Sequence, residues 1–348
     1  MNKDERGSIR LTETGHIRQE RLPRIRIIGT GGTIAGVAAG SAPTTQYEAG
    51  TIGIEELIRS VPELAGLADI SCEQAANLSS FAVTDRLLLQ LSRRVNQLLN
   101  EEDYDGVVIT HGTDTMEETA YFLHLTVKSR KPIVVTGSMR PATSISADGP
   151  LNLYNAVALA ASPEAEGQGV MITLNDAIGS ARDTTKLHTT MADAFGSRDF
   201  GMIGYMVNGK PRFYYATVRR HTWMSEFDVG GLEALPRADI LYGYTEDAGA
   251  AVEALIRAGA KGIVHAGMCN GGMFPAVRAA LASAAERGIA VVSASRTGSG
   301  LVMAIEEDRQ SGFVTADNLN PQKARILLKL ALTRSSDANV LQSMFDVY

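Results

Sequence analysis

The feature that most restricts this chain is the alternation of short Val- and Ile-rich runs with amphipathic stretches. Strand candidates lie at 25–29, 106–110, 132–137, 169–174, 202–207, 239–243, 261–266 and 289–294, mostly bounded by Gly, Pro or Asp. Helix candidates lie at 53–60, 84–100, 115–127, 150–161, 247–258, 276–287 and 321–332. Thr84 precedes Leu87, Leu88, Leu91, Val95 and Leu98 on one helical face. Pro150 and Pro321 stand where a first helical turn tolerates proline. Strands alternating with helices imply parallel strands covered on both faces. Around 208–238 the alternation breaks: Asn208-Gly209-Lys210-Pro211, then Gly230-Gly231 and Pro236, read as a hairpin followed by a linker. The expected class is α/β, with two domains and an open, mostly parallel sheet. The expected division is a flexible charged extension over 1–23, a larger N-terminal domain over 24–218, a linker over 219–238 and a smaller C-terminal α/β domain over 239–348.

Composition removes several function classes. A net charge of −6, with no basic stripe and interleaved aromatics, argues against nucleic acid as the main partner. The first 24 residues mix Lys3, Arg6, Arg10, Arg18, Arg21 and Arg24 with Asp4, Glu5, Glu13 and Glu20, and have no apolar core of the kind a secretory signal carries. No apolar stretch reaches the length of a membrane span, so no membrane partner is expected. Cys72 and Cys269 are too few and too far apart for a disulfide framework or a zinc site, and read as buried small apolar residues. The six histidines show no metal-ligand spacing, and no metal or cofactor is expected. The location expected from these features is the cytoplasm.

Two loops stand out. Gly29-Thr30-Gly31-Gly32-Thr33-Ile34-Ala35-Gly36 follows the apolar run at 25–28, and His111-Gly112-Thr113-Asp114-Thr115 follows the run at 106–110. In open parallel α/β sheets, ligands bind at the carboxyl ends of strands. The first loop fails the dinucleotide fingerprint, because Ile34 stands where its third glycine or alanine belongs. It reads either as a plain glycine turn or as a frame that presents the Thr33 hydroxyl beside backbone N–H groups. In the second loop, Asp114 with Glu117 and Thr115 with Glu118 resemble capping boxes, but a cap does not explain Thr113. Lys186, in a polar loop, reads by itself as a solvated lysine. Asn270, in the loop after 261–266, reads as a plain turn or a second binding edge.

Together these segments resemble bacterial L-asparaginases, within them the type II group that includes glutaminase-asparaginases. The matching blocks are TGGTIAG at 30–36, ITHGTDTMEETAYFL at 109–123, GSMRP at 137–141, SADGPLNLYNA at 146–156, RDTTK at 182–186 and LNPQKAR at 319–325. The resemblance implies hydrolysis of the side-chain amide of asparagine, variably of glutamine, without metal or cofactor, in a homotetramer with sites at subunit interfaces. It implies that Thr33 is the nucleophile, supported by the lid residue Tyr47. It also implies that Thr113, Asp114 and Lys186 form the second threonine with its acid and lysine. Ser80 and Asp114 match substrate-holding positions, Asn270 a position reaching a neighbouring subunit's site, and Glu306 stands nearest the acid supplied across that interface.

One position departs from the family. Where a Gln or Glu usually follows the substrate-binding serine and accepts a hydrogen bond from the substrate's α-amino group, this chain has Phe81, which accepts none. A glutaminase-asparaginase, or an amidase for a modified asparagine, is therefore the alternative, and a non-catalytic amino-acid sensor on the same fold is a further one.

Overall fold

The computed structural model describes residues 9–11, 17–19, 21–38, 40 and 47–348, with 9–11, 17–19 and Tyr47 described by backbone alone. Within the segment expected as a flexible extension, the described strands are Ile9–Leu11 and Ile17–Gln19, paired antiparallel. The rest of that expectation falls on residues outside the described ones, residues 21–23 apart.

The N-terminal domain is built on one eight-stranded sheet. Its strands are Arg24–Gly31 (β1), Asp69–Leu78 (β2), Gly106–Thr110 (β3), Ile133–Thr136 (β4), Val170–Leu174 (β5), Ala177–Ser180 (β6), Gly204–Val207 (β7) and Lys210–Phe213 (β8). Their order across the sheet is β8-β7-β6-β5-β4-β3-β1-β2. The β2, β1, β3, β4 and β5 strands run parallel, and from β5 onward the pairing is antiparallel. The β7–β8 hairpin turns through Asn208 and Gly209, whose φ values of 51° and 71° give the backbone twist that favours tight hairpins.

Alternation along the central strands sorts the core. Ile27, Val108 and Val134 face one side, packed against Leu153, Ala156 and Val157 of the helix Gly149–Ala160. Ile28, Val107, Ile109, Ile133 and Val135 face the other, against Leu91, Val95 and Leu98 of Asp85–Asn100 and Leu123 of Met116–Thr126. The C-terminal domain is a four-stranded parallel sheet in the order Ala238–Tyr242 (β9), Gly262–Gly267 (β10), Ala290–Ser295 (β11) and Val314–Thr315 (β12). Tyr121, Phe122 and Leu125 of the helix Met116–Thr126 share a core with Val264, Val292 and Leu327 of this domain. The two domains are thus joined by apolar packing rather than by a hinge.

The strand order fixes where a site can form. The chain leaves β1, adds β2 on one side, and returns to place β3 on the other. Strand order reverses at β1, so a crevice opens at its carboxyl end. Both threonine loops begin there.

Candidate active site

Glycines bring the two loops together. Gly31 and Gly32 have φ of 100° and 83°, a backbone region that favours glycine. A Cβ on Gly32 would lie 2.3 Å from the Gly112 Cα, and one on Gly112 would lie 2.8 Å from the Ser80 Oγ. The Gly32 backbone therefore touches that of Gly112, Gly31 touches the Leu78 backbone, and Gly112 touches the Ser80 side chain, which brings the segments carrying Thr33, Thr113 and Ser80, all three buried, together. The Thr30 hydroxyl donates to the Thr110 carbonyl at 2.8 Å and ties the ends of β1 and β3. Asp148 accepts from the Met139 and Arg140 N–H groups, both at 2.9 Å, which shapes the turn after β4. That turn supports the Thr33 segment: the Ala142 N–H donates to the Gly36 carbonyl, and the Thr143 hydroxyl accepts from the Ala38 N–H, both at 3.0 Å.

The capping reading of the second loop does not hold. Thr115 stands at the helix N-cap, but its side chain makes no cap. Its hydroxyl donates to the Ser80 carbonyl at 2.7 Å instead. The Ser80 Oγ accepts from the Asp114 N–H at 3.1 Å, which leaves its own hydrogen to donate elsewhere. The Lys186 Nζ donates to the Thr113 Oγ1 at 2.9 Å and to the Asp114 Oδ1 at 2.7 Å. Its side chain is 16% exposed, so the solvated-lysine reading fails as well. Asp114, at 56%, faces outward. The result is a threonine hydroxyl held by an ammonium that a carboxylate also holds, an arrangement suited to passing a proton.

His111 shapes this loop from beneath. It is buried, and burial lowers its pKa, which favours the neutral ring. Its Nδ1 lies 2.7 Å from the Gly112 carbonyl, which can only accept, so Nδ1 carries the hydrogen. Nε2, 2.9 Å from the Thr119 Oγ1, then accepts from that hydroxyl.

The remaining sequence-derived residues are placed differently. The side chain of Tyr47 lies outside the described residues, while its backbone pairs with Ala38. Phe81 follows Ser80 and is 77% exposed. Asn270 is bonded in both directions to the Met303 backbone, at 3.0 and 2.7 Å. Glu306 lies on the exposed short helix Glu306–Gln310, next to Arg309 and Gln310. Among the described hydrogen bonds and ion pairs, none joins Asn270 or Glu306 to Thr113, Asp114 or Lys186. The cysteines depart from the expectation of burial. Cys269 is exposed in the turn after β10, and Cys72 is half-buried on the edge strand β2. No group of three or more His, Cys, Asp or Glu among the described residues could hold a metal.

The sequence reading missed a polar layer behind Lys186. The Asn320 Nδ2 donates to the Glu117 Oε2 at 2.8 Å and to the Thr185 Oγ1 at 3.3 Å. The fully buried Lys323 Nζ donates to the Arg182 and Thr184 carbonyls at 2.7 and 2.6 Å. The signal was present in the LNPQKAR block, but its polar residues match the amphipathic pattern of a solvent-facing helix.

Known proteins match over most of the chain. The family profile described as "Asparaginase, N-terminal" covers residues 24–219, and that of the "Glutaminase/Asparaginase C-terminal domain" covers residues 237–345. The chain is 48% identical to L-asparaginase 2 of Bacillus subtilis, over 94% of this chain and 87% of that one. It is 46% identical to a glutaminase-asparaginase of Pseudomonas fluorescens, over 94% and 91%. The crystal structure of a probable cytoplasmic L-asparaginase from Campylobacter jejuni superposes with a TM-score of 0.92 at 50% identity, covering 94% of this chain and all of that one. Fold and site together define a two-domain α/β amidohydrolase built around paired threonine loops. The chain belongs to the L-asparaginase and glutaminase-asparaginase family.

Proposed function

We propose that this enzyme hydrolyses the side-chain amide of L-asparagine to L-aspartate and ammonia through an acyl-enzyme on Thr33. The observation that carries this reading is the Lys186 ammonium bonded at once to the Thr113 hydroxyl and the Asp114 carboxylate, beside the buried Thr33. In this reading the Thr33 oxygen attacks the amide carbon, and its proton passes through Thr113 to the Lys186 amine. Lys186, poised by Asp114, returns that proton to the departing nitrogen, which leaves as ammonia. Water then cleaves the ester and frees L-aspartate and Thr33. Backbone N–H groups of the two glycine-bearing loops hold the oxyanion. Ser80 donates to the substrate's α-carboxylate, and Asp114 accepts from its α-amino group. Tyr47 closes over Thr33.

Phe81 favours a second reading, in which the preferred substrate is glutamine or an asparagine whose α-amino group is modified. A phenyl ring leaves that group without a hydrogen-bond acceptor at this position.

The active form we propose is a homotetramer in the cytoplasm, in which Asn270 and Glu306 reach a neighbouring subunit's site. Exposed Leu301, Met303 and Ile305 beside Asn270 give such a neighbour an apolar surface to cover. The Campylobacter jejuni relative, a probable cytoplasmic enzyme by its description, supports the location. We also propose 219–238 as the linker between the two domains.

Ammonia release over a panel of L-asparagine, L-glutamine, D-asparagine and N-substituted asparagines tests the function. The reading expects L-asparagine to give the highest kcat/KM. No ammonia from any of them, by a folded protein, would contradict it.

A further inference from the structure

Lys186 reaches Thr113 and Asp114 from the two-residue strand Thr185–Lys186, which among the described residues pairs only with Phe195–Gly196. So short an element does not hold a lysine tip to within a few tenths of an ångström by itself. What holds it comes from the other domain. The helix Pro321–Ala331 belongs to the C-terminal domain, and its first turn grips the chain just before Lys186 at three points. The Lys323 ammonium takes the Arg182 and Thr184 carbonyls, and Asn320 takes the Thr185 hydroxyl. The Asn320 Oδ1 also caps its own helix through the Lys323 N–H at 2.9 Å, which fixes both gripping side chains to one rigid turn.

The burial of Lys323 needs an explanation. It is 1% exposed, and taking an ammonium out of water is costly unless it is paired and fully bonded. Burial pushes its pKa down to about 8, against the opposing pull of Glu117 and Asp183. Its partner Glu117, 3.8 Å away, lies in the first turn of the helix that follows Thr113 and Asp114. One buried charge pair therefore links the helix that follows Thr113 and Asp114 to the helix turn that holds 182–185.

We propose that Lys323 is a positioning residue for the amide hydrolysis: from the C-terminal domain, with Asn320, it holds the segment 182–185 so that Lys186 meets Thr113 and Asp114. This inference rests on reading Lys186 as the proton-transfer lysine. The C-terminal domain thus contributes to the site of its own chain, separately from anything it presents to a neighbouring subunit.

The test compares steady-state kinetics of Lys323→Met/Glu117→Gln, Thr185→Val and Lys186→Met with the wild-type protein on L-asparagine. The double variant removes both buried charges together, so no uncompensated carboxylate remains, and the amide oxygen that Glu117→Gln introduces still accepts from Asn320. With a folded double variant, kcat should fall by about 100-fold while KM stays within about twofold, as for a displaced reacting group. Thr185→Val removes only the oxygen held by Asn320, and kcat should fall about fivefold. A folded double variant with kcat within about threefold of wild type overturns the proposal. If the double variant does not fold, an unchanged kcat in Thr185→Val overturns it. Lys186→Met separates the two claims. If it is fully active, the reading of Lys186 fails. If it is inactive while the other variants keep their kcat, only the role of Lys323 fails.

Discussion

The two domains present their strand ends differently. At the carboxyl ends of β1 and β3, backbone meets backbone, and Thr33, Thr113 and Ser80 are buried. At the carboxyl ends of β9, β10 and β11, Tyr242, Ala266, Ser295 and Arg296 line an open cleft of about 440 Å³ that reaches Thr185 and Lys186. There the loops expose Cys269, Leu301, Met303 and Ile305, and Asn270 is taken up in holding the Met303 backbone. Both edges lie at carboxyl ends of parallel strands, where such sheets bind ligands, and Lys186 stands between them, bonded to Thr113 and Asp114 of the first. Reacting atoms must be held still, which needs close packing and satisfied hydrogen bonds. Exposed apolar area of the kind at the second edge suits contact with another surface instead.

The sharpest break of this contrast lies at the first edge. Thr33→Ala and Thr113→Ala should each lower ammonia release from L-asparagine by at least about 1,000-fold, because each removes a group no neighbour replaces. Tm, followed by circular dichroism, should move little. Activity within about threefold of wild type at matched Tm would remove that threonine from the mechanism. Lys186→Met should lower kcat by about 100-fold or more, the scale of a lost general acid–base group.

Phe81 sharpens the comparison, since it is an exposed apolar residue on the edge that holds the buried threonines. Phe81→Gln should lower KM for L-asparagine by about tenfold, the worth of one hydrogen bond to a charged group. Because that contact serves ground and transition states alike, kcat should change little. A KM that stays the same or rises would mean that the pocket is arranged around Phe81 itself.

The smallest effect belongs to the core beneath the second edge. His265 is buried with neither ring nitrogen hydrogen-bonded to another described residue, and burial pushes its pKa down to about 4. His221 is likewise pushed down to about 4. An unfolded chain takes up these protons near the ordinary value of 6.5, whereas the folded chain does so only near 4. Their contribution to stability is therefore complete above 6.5 and is lost as pH falls toward 4. Tm should drop over that window, and His265→Leu should make the drop shallower. An equally steep profile in the variant would show that His265 takes up its proton alike in the folded and unfolded states.

Much of this contrast is legible in the sequence, for physical reasons that differ between its parts. Strands buried on both faces, such as Gly106–Thr110 and Gly262–Gly267, announce themselves as apolar runs. Asp69–Leu78 does not, because an edge strand with a half-exposed, polar side carries no such run, although it leads the chain to Ser80. The antiparallel strand Ala177–Ser180 is too short and too rich in small residues to show. Thr33 and Thr113 can be picked out because each ends a strand in a glycine-bearing loop. Lys186 becomes legible only through family resemblance, since the acid that holds it lies 72 residues earlier in the chain. Lys323 and Lys329 sit on an amphipathic helix where lysines normally face water. Here both turn inward, Lys329 to Asp85 and Lys323 to the Arg182 and Thr184 carbonyls just before the strand that holds Lys186.

The most direct test of the central claim is to trap the intermediate. Wild-type protein turning over L-asparagine is quenched in acid, digested, and its peptides are mapped by mass spectrometry. The account predicts a β-aspartyl ester on the peptide containing Thr33, absent from Thr33→Ala. An adduct on a different residue, in a protein that releases ammonia, would contradict it.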